Sequence, residues 1–202
     1  ECLHISTNVD DELNHYVIID TSERLIYLNM TAVGNLYIRK QDQLSEIIAR
    51  KASVFAMYKV RTRSLRLLEI QSVTTIDISN CELTSLDIRQ CTLLEQLNIN
   101  TVPLEYLHLP ISPMKSLYIE DTNIQSLVYP INVKAITLKN NRRLAEIIVC
   151  PQSTFICERC ADIRTLRIDY CSRVKLSGGR WDHLEINNTV LLELCNIRLG
   201  KL

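Results

Sequence analysis

Eight cysteines stand among the 202 residues, and their spacing is the first place where this sequence could carry chemistry. Cys157 and Cys160 form a C-x-x-C pair, a spacing common among zinc ligands, with Cys150 and Cys171 nearby. A second C-x-x-C at usable spacing is missing, and the pair fits inward positions of an apolar repeat. A buried thiol packs as a small hydrophobe. The sequence therefore favours core thiols over a metal site, and we predict no metal ligands.

Disulfide bonds are a second chemistry that eight cysteines permit. Cys81 and Cys91 belong to opposite sides of the repeat, so their side chains are expected to face away from each other. Because a disulfide requires Cα atoms within about 7 Å, we expect no bond between them. Cys2 and Cys195 lie near the ends of the chain, where a staple to an adjacent coil is plausible. The even count permits a disulfide framework without establishing one.

Catalytic arrangements are sparse. None of the four histidines stands in an H-E-x-x-H pairing, and no serine stands in a G-x-S-x-G elbow. The outward carboxylates Asp87, Asp169 and Glu185 would suit a polysaccharide-cleaving parallel β-helix, but such enzymes usually have three sheets and longer coils. No nucleophile, base and oxyanion donors occur together. We therefore predict a protein that is not an enzyme, with no catalytic residues and no cofactor.

Charge and composition narrow the partner classes. Lys plus Arg equals Asp plus Glu at 23 each, which removes the usual electrostatic case for nucleic acid or an anionic membrane surface. Only four glycines are present, so a Gly-rich phosphate cradle is not expected. No apolar run approaches the roughly 20 residues that span a bilayer. A protein ligand remains as the expected partner.

An apolar phrase of about ten residues recurs through most of the chain and must position any functional side chain. Its clearest forms are Ile76–Leu83 and Leu86–Leu93, which both read L-x-L-x-x-(N/C)-x-L. Alternate phrases align into coils of 19 to 21 residues, and apolar residues alternate within each phrase as in a strand with one buried face. Self-similarity of this kind predicts a solenoid in which each coil buries its apolar face against its neighbours.

The two phrases of each coil differ in character. One register, through Ile76 and Leu97, continues through β-compatible residues, and we assign it to a continuous parallel sheet. In the other register, prolines such as Pro110 follow the tripeptides, and proline cannot donate to a strand ladder. We therefore expect that side to hold only short extended segments and turns. The segment 41–59 is the only stretch where a helical turn competes with this pattern, and residues 43–51 within it are the candidate turn.

The recurrence of the apolar phrases along the chain predicts one solenoid domain over residues 1–202 with no linker. Residues 65–194 carry clear repeats, residues 1–64 read as degenerate or capping coils, and residues 195–202 as a truncated or capping end. The chain starts at Glu1 and ends within the repeat rhythm, which is compatible with a fragment of a larger protein.

The phrases resemble leucine-rich repeats, whose strand segment reads L-x-x-L-x-L-x-x-N/C-x-L. The segments 83–93 and 73–83 fit this pattern at every fixed position. The resemblance implies an α/β-class solenoid that is mostly β and helix-poor, with a parallel sheet on one face. The short coils are similar to those of bacterial surface and effector proteins, and the proline-tipped ones to secreted invertebrate immune proteins, so adhesion and immunity are implied roles.

One departure from the family concerns the position that is asparagine in the consensus. Only two of nine such positions hold Asn, so a continuous asparagine ladder is not available, although Ser, Thr and Cys can partly replace it. The nine residues are Cys81, Cys91, Val102, Ser112, Thr122, Asn132, Asn141, Cys160 and Cys171.

The outward positions of the continuous sheet are the predicted binding site. Alternate residues of parallel strands form columns on the exposed face, and here the columns are polar with one aromatic near the middle. Tyrosine beside short polar residues suits protein contacts, although a merely solvated face is the equal alternative. The predicted partner-binding residues are Asp77, Ser79, Asn98, Asn100, Tyr118, Glu120, Thr137 and Lys139.

The sequence therefore predicts a non-enzymatic module that recognises a protein ligand through the exposed sheet face. The alternative is a structural or scaffold segment of a larger protein, or the recognition domain of an enzyme whose catalytic part is absent. The missing Met, the cysteines and the sequons at Asn29 and Asn187 favour a secreted or cell-surface protein. The placement of cysteines in the core favours a cytoplasmic one instead.

Overall fold

The computed structural model describes most of the chain. They are residues 2–5, 16–22, 27–30, 34–44, 46–49, 52–63, 66–68, 71–129, 133–149, 153–160 and 163–200. Within these ranges the chain forms strands joined by turns, and no helix. The strands are β1 (Cys2–Ile5), β2 (Tyr16–Ser22), β3 (Tyr27–Met30), β4 (Asn35–Gln41), β5 (Glu46–Ala49), β6 (Val54–Tyr58), β7 (Arg66–Leu68), β8 (Thr75–Ser79), β9 (Ser85–Asp87), β10 (Gln96–Asn100), β11 (Tyr106–His108), β12 (Met114–Glu120), β13 (Ser126–Tyr129), β14 (Val133–Lys139), β15 (Glu146–Val149), β16 (Thr154–Glu158), β17 (Ile163–Asp169), β18 (Arg173–Ser177), β19 (Arg180–Asn187), β20 (Leu191–Cys195) and β21 (Arg198–Leu199).

The chain divides into two compact units, an N-terminal unit (Glu1–Ile111) and a C-terminal unit (Ser112–Leu202). In each unit the even-numbered strands pair in parallel as a front sheet, and the odd-numbered strands form the back of the coil. The N-terminal front sheet has the order β2-β4-β6-β8-β10, and its back strands pair as β1-β3-β5-β7 and as β9-β11. The C-terminal unit has the orders β12-β14-β16-β18-β20 and β13-β15-β17-β19-β21.

Each unit is a helix-poor parallel β-solenoid, which confirms the predicted repeat architecture and coil length. Strand pairing sets Ile76 opposite Leu97 and Leu117 opposite Ile136, 21 and 19 residues apart. The leucine-rich repeat family and the α/β class are not confirmed, because no helix occurs in the described ranges. The prediction of a single domain over residues 1–202 stays a prediction.

Alternation within each strand separates core from surface, as the sequence predicted. On β8, Ile76 and Ile78 are buried while Asp77 between them is exposed. Successive side chains of a strand point to opposite faces, so each coil contributes alternate residues to a core shared with its neighbours. Front and back strands both supply that core, as Leu86 on β9 and Leu97 on β10 are fully or nearly fully buried.

A left-handed corner follows the front strand in coil after coil. The corner residues have φ between 50° and 55° in all the non-glycine cases, and the corner after β18 is Gly178. At several corners the backbone amide donates to the last front-strand carbonyl of the next coil, as from Asn80 to Asn100 and from Asn140 to Glu158. The non-glycine front corners are Lys40, Lys59, Asn80, Thr101, Asp121, Asn140, Arg159 and Asn196.

Two local predictions are wrong. The competing helical turn within 43–51 is instead the strand β5, which pairs with β3 and β7. The opposite side of the coil is also more regular than expected in the C-terminal unit, where β17 and β19 have seven and eight residues and pair in parallel. In the N-terminal unit the expectation of short segments holds for β9 and β11, with three residues each.

The residue after the corner is buried in most coils, and this position corresponds to the asparagine of the leucine-rich repeat consensus. Asn141 is buried and accepts hydrogen bonds at Oδ1 from the backbone N and Oγ1 of Thr122, at 3.1 and 2.8 Å. Its Nδ2 donates to the carbonyl of Ile119 at 3.0 Å. Cysteine fills the same position in other coils, where Cys81 and Cys160 are buried, while Asn132 lies outside the described residues.

Candidate binding face

The predicted binding residues of the N-terminal unit lie on the outward side of its front sheet. Asp77 and Ser79 on β8 pair in register with Asn98 and Asn100 on β10. Asp77 is exposed and the other three are half-buried. The structure therefore brings these four side chains together in two adjacent columns, as the alternation predicted, and their role in binding stays a prediction.

The other four predicted residues lie in the C-terminal unit. Tyr118 and Glu120 on β12 pair in register with Thr137 and Lys139 on β14, and all four side chains are half-buried. The Nζ of Lys139 lies 5.8 Å from the centroid of the Tyr118 ring, within the range of a cation–π interaction. These four residues form a second group of outward side chains, the C-terminal patch.

Hydrogen bonds hold the Tyr118 end of this patch together. The hydroxyl of Tyr118 donates to Oε2 of Glu120, and Nδ2 of Asn140 donates to the other oxygen, Oε1, at 3.1 Å. Desolvation first, and then the hydrogen bond to Glu120, raise the pKa of Tyr118 to about 12. The hydroxyl thus keeps its proton at neutral pH and remains a donor to the carboxylate.

Ion pairs continue this network across the next strands. Glu158 on β16 accepts a hydrogen bond from Nζ of Lys175 at 2.7 Å and lies 3.7 Å from Nζ of Lys139. The hydrogen bond from Lys175 lowers the pKa of Glu158 below its ordinary value, and the charge of Lys139 adds to the effect. The charged side chains of this C-terminal patch therefore have partners within the patch itself.

A hollow of about 470 Å³ opens on the outward side of the N-terminal front sheet. Ala56 on β6 lies in register between Tyr37 on β4 and Asp77 on β8, and Tyr58 follows two residues further along β6. Because alanine ends at a methyl group, the column of outward side chains is interrupted there. The lining residues are Asp20, Tyr37, Ile38, Arg39, Lys40, Ala56, Met57, Tyr58, Asp77 and Ser79.

The charged groups around the hollow differ from those of the C-terminal patch. At one border of the hollow, Nζ of Lys40 lies 3.6 Å from Oδ1 of Asp20, and the two side chains form an ion pair. The side chains of Arg39 and Asp77 make no ion pair or hydrogen bond with any part of the chain that the structure describes. Desolvation against its neighbours raises the pKa of Asp77 above the ordinary value of 3.8. Arg39 and Asp77 thus line the hollow without a counter-charge among the described residues, and Nζ of the nearby Lys59 lies 5.1 Å from the centroid of the Tyr58 ring.

Of the residues that line the hollow, the sequence predicts Asp77 and Ser79 as outward binding positions but not Tyr37, Arg39 and Tyr58. Residues 1–64 have a less regular repeat, which predicts degenerate coils and no binding positions among their outward residues. The signal was nevertheless present: the tripeptides around Tyr37 and Ala56 alternate buried and outward residues as the clearer repeats do. Reading the alternation through the early coils would have placed both tyrosines on the front sheet.

The outward carboxylates of the back strands are engaged in ion pairs. Asp87 accepts hydrogen bonds from Arg89 at Oδ1 and Oδ2, which lower the pKa of its carboxyl. Arg167 lies 3.4 Å from Oδ2 of Asp169 and 3.8 Å from Oε1 of Glu185. Hydrogen bonds from an arginine fix a carboxylate in its charged form, as a surface salt bridge does.

The described cysteine side chains lie where the repeat predicted, because five of six are buried. The two sulfurs of the C-x-x-C pair are 2.9 Å apart inside the core. Burial raises the pKa of Cys81 to about 11 and that of Cys91 to about 12, which suppresses thiolate formation. Among the described residues, no three His, Cys, Asp or Glu side chains cluster as metal ligands. Cys150 and the side chain of Cys2 lie outside the described residues.

The last described coil of the C-terminal unit exposes apolar side chains. Leu192 and Leu194 on β20 lie in register with Val174 and Leu176 on β18. The β18 residues are fully buried, whereas Leu192 and Leu194 are 45% and 43% exposed. The inward positions of β20 thus present an apolar edge that the described residues leave uncovered.

Comparison of the chain with protein-family models, with curated proteins and with solved structures gives no match. Within the described residues, no helix has the length and apolar character needed to cross a membrane. The observations that bear on function are therefore the repeat phrases and the geometry of the two outward patches.

Proposed function

We propose that the chain is a non-enzymatic module that binds a protein ligand through the outward side of its front sheet. The observation that carries this proposal is the hollow over Ala56, flanked by Tyr37 and Tyr58 and bordered by Arg39 and Asp77, which have no ion-pair partner among the described residues. Tyrosine and arginine are enriched among the residues that dominate the free energy of protein association. A small concavity between them gives a partner side chain a place to insert.

The C-terminal patch has a different part in this proposal. Its charged groups already have partners, so a ligand that displaced them would lose existing hydrogen bonds as it formed new ones. We expect Tyr118 and Glu120 to act at the rim of the interface, where contacts exclude water and contribute little affinity. Replacing both with Ala should weaken binding by less than about tenfold.

The experiment uses a partner captured with the wild-type chain, identified and purified, with affinities measured by titration calorimetry. The variant Tyr37→Ala/Tyr58→Ala should bind at least about 100-fold more weakly, because each truncated anchor of this kind costs about 2 kcal/mol or more. Tyr106→Ala is the matched control: Tyr106 is an exposed tyrosine on β11, at the back of the same unit. Equal affinities of the double variant and the wild type, with both folded, would contradict the proposal.

The family and the compartment belong to the same proposal. The L-x-L phrases and the inward residues after each corner support a leucine-rich-repeat-like protein, with adhesion or immune recognition as its setting. The sequons and the number of cysteines support secretion or display at the cell surface, and the buried thiols support the cytoplasmic alternative. A protein ligand is common to both settings.

The exposed leucines of β20 favour a second candidate function, a scaffold segment in which a further β-coil stacks on this edge. A strand pairing with β20 would cover Leu192 and Leu194, as β20 itself covers Val174 and Leu176. Sedimentation over a range of concentrations tests this, with Leu192→Lys/Leu194→Lys as the disrupting variant. Association that the lysines abolish supports stacking, and a monomer at every concentration contradicts self-association as its form.

A further inference from the structure

The hollow over Ala56 has a shape and charge pattern that indicate which side chain a partner inserts there. This inference rests on the proposed protein-binding function and names the chemistry of the partner's anchor. Ala56 is half-buried and forms the floor, while Tyr37 stands one strand away and Tyr58 two residues along β6. Aromatic rings beside a small floor leave a slot that suits a long side chain with an apolar stem.

The charge that the slot requires follows from Asp77. Its carboxylate stands across Ala56 from Tyr37 and has no counter-charge among the described residues. A partly desolvated carboxylate is destabilised relative to water, and a cation placed beside it offsets that cost. A guanidinium also stacks on tyrosine rings and can donate two parallel hydrogen bonds to one carboxylate, whereas an ammonium cannot do both.

A second requirement comes from Arg39, which lines the same hollow. Arg39 lies in register with Tyr58, two strands from Asp77, so about 10 Å of sheet separates their strands. Its guanidinium has no described partner, whereas the neighbouring Lys40 is paired with Asp20. A ligand that carried only positive charge would meet repulsion at this end. A ligand with a carboxylate near its basic group would satisfy both ends.

We propose that the hollow is an anchor site for an arginine side chain of a protein partner, with its guanidinium on Asp77 and a neighbouring carboxylate of the same partner on Arg39. The arginine stem then lies over Ala56 between the two tyrosines. Both charges of the site are neutralised together, so binding requires the two partner groups at the matching separation. A lysine in the same place forms a weaker complex because it cannot stack and bind bidentately.

The test is an NMR titration of the isotope-labelled full chain with small probes. N-acetylarginine carries both the guanidinium and the carboxylate, N-acetylargininamide lacks the carboxylate, and N-acetylcitrulline lacks the positive charge at nearly the same shape. We expect saturable shifts centred on Tyr37, Ala56 and Tyr58, with the amide about fivefold weaker and the citrulline at least about tenfold weaker. No saturable shifts, or equal binding of arginine and citrulline, would overturn the proposal.

Variants assign each contact. Asp77→Asn should weaken N-acetylarginine about tenfold, while Asp87→Asn, on a back strand of the same unit, should leave it unchanged. Arg39→Gln should remove the difference between the acid and the amide. Ala56→Phe should block every probe by filling the slot, with Ile156→Phe, at a half-buried outward position of β16, as the matched control. Dispersed amide spectra report whether each variant is folded, and shifts that persist in folded Ala56→Phe would exclude this site.

Failure of this inference is distinguishable from failure of the proposed function. If arginine probes do not bind but Ala56→Phe still weakens the purified partner, the hollow receives a different side chain and the binding face stands. If the partner binds Ala56→Phe and Tyr37→Ala/Tyr58→Ala as well as it binds the wild type, the front sheet of this unit is not the binding face.

Discussion

Left-handed corners place an unusual demand on single residues. Asn80 and Thr101 occupy equivalent corners one coil apart, with φ of 52° and 55°. Asparagine tolerates this region, whereas a β-branched residue is strained in it by roughly 1 kcal/mol or more. Thr101→Asn should therefore stabilise the protein by about 0.5–1 kcal/mol, measured by urea unfolding.

The reverse substitution at the neighbouring corner is the control for this prediction. Asn80→Thr introduces the same strain where none exists, so it should lower the free energy of unfolding by a similar amount. Opposite signs in the two variants would establish that the corner conformation decides the effect. A loss of stability in Thr101→Asn would contradict the prediction.

Asn141 is the polar residue whose removal should be most costly in the C-terminal unit. It satisfies the backbone N and hydroxyl of Thr122 and the carbonyl of Ile119, all within the core. Asn141→Ala leaves these groups without partners, and we expect a loss of about 3 kcal/mol in unfolding free energy. Thr122→Val removes only the hydroxyl and should cost about 1 kcal/mol. Similar losses in the two variants would mean that the asparagine side chain is not the centre of the network.

The ionisation of Asp77 should oppose folding. Its pKa is raised by desolvation in the folded protein, so the folded state holds this proton more tightly than the unfolded chain does. Below the ordinary pKa of 3.8, Asp77 is protonated and makes its full contribution to folding stability. As pH rises through the pKa of the folded state, the carboxyl group loses its proton and this contribution is lost. Asp77→Asn should thus be as stable as the wild type at low pH and slightly more stable, by at most about 0.5 kcal/mol, at pH 7.

Asp87 provides the opposite case for the same pH series. Its pKa is lowered by Arg89, so its ionisation favours the folded state above the unfolded pKa, and that benefit disappears as pH falls through the folded value. Asp87→Asn should therefore lose stability relative to the wild type at pH 7 and not at low pH. Thermal unfolding of both variants from pH 3 to pH 7 measures the two trends, and identical trends would contradict the assignment.

At the scale of elements, the strand alternation assigns adjacent residues to different tasks. Leu97 on β10 is fully buried, and Asn98 beside it is half-buried on the outward side. Leu97→Ala should cost about 2–5 kcal/mol through lost burial and a cavity, whereas Asn98→Ala should change stability by less than about 0.5 kcal/mol. Denaturant unfolding of the pair tests the register of β10, and comparable costs would show that this strand has a different register.

The front strands from β8 onwards could be predicted from the sequence because buried and outward residues alternate at the centre of each, as Ile76, Asp77 and Ile78 do on β8. The back strands were harder, since a proline such as Pro110 indicates a break in the ladder although the coil continues past it. In the C-terminal unit, Ile163, Leu166 and Ile168 all face the core along β17, so a long back strand forms there. A local tripeptide does not reveal how far pairing extends, because that depends on the register of the neighbouring coil.

The hollow over Ala56 could not be predicted from the sequence for a related reason. Its depth depends on Ala56 lying between larger residues of β4 and β8, which flank β6 only after three coils have stacked in register. The sequence predicted polar columns from Asp77 onwards and placed no site in the earlier coils. The candidate residues Asp77 and Ser79 were found because their own strand has a clear repeat phrase.

Thiol reactivity is a prediction for the whole molecule. Five of the six described cysteines are buried, and Cys195 is exposed. Iodoacetamide on the folded protein should modify Cys195 and spare Cys81, Cys91, Cys157, Cys160 and Cys171, because a thiol buried in the core is inaccessible to the reagent. Burial also raises the pKa of each of these thiols except that of Cys160. Peptide mapping with and without denaturant measures this, and modification of the buried set in the folded state would contradict the structure.

The intact mass of the protein, measured with and without reduction, bears on the compartment. A mass about 2 Da lower per cysteine pair than that of the reduced protein, or added glycan mass at Asn29 or Asn187, would support the secreted proposal. Eight unbridged thiols with no glycan would support the cytoplasmic alternative.

The corner hydrogen bonds that join successive coils have a consequence for how such a chain can change over generations. Several corner amides donate to the neighbouring coil, as from Asn80 to Asn100, so a coil is a unit that depends on little beyond its two neighbours. Gaining or losing one residue within a strand would turn its core side outward. Gaining or losing a whole coil preserves every face. Natural variants of this chain should therefore differ in length by steps of about twenty residues.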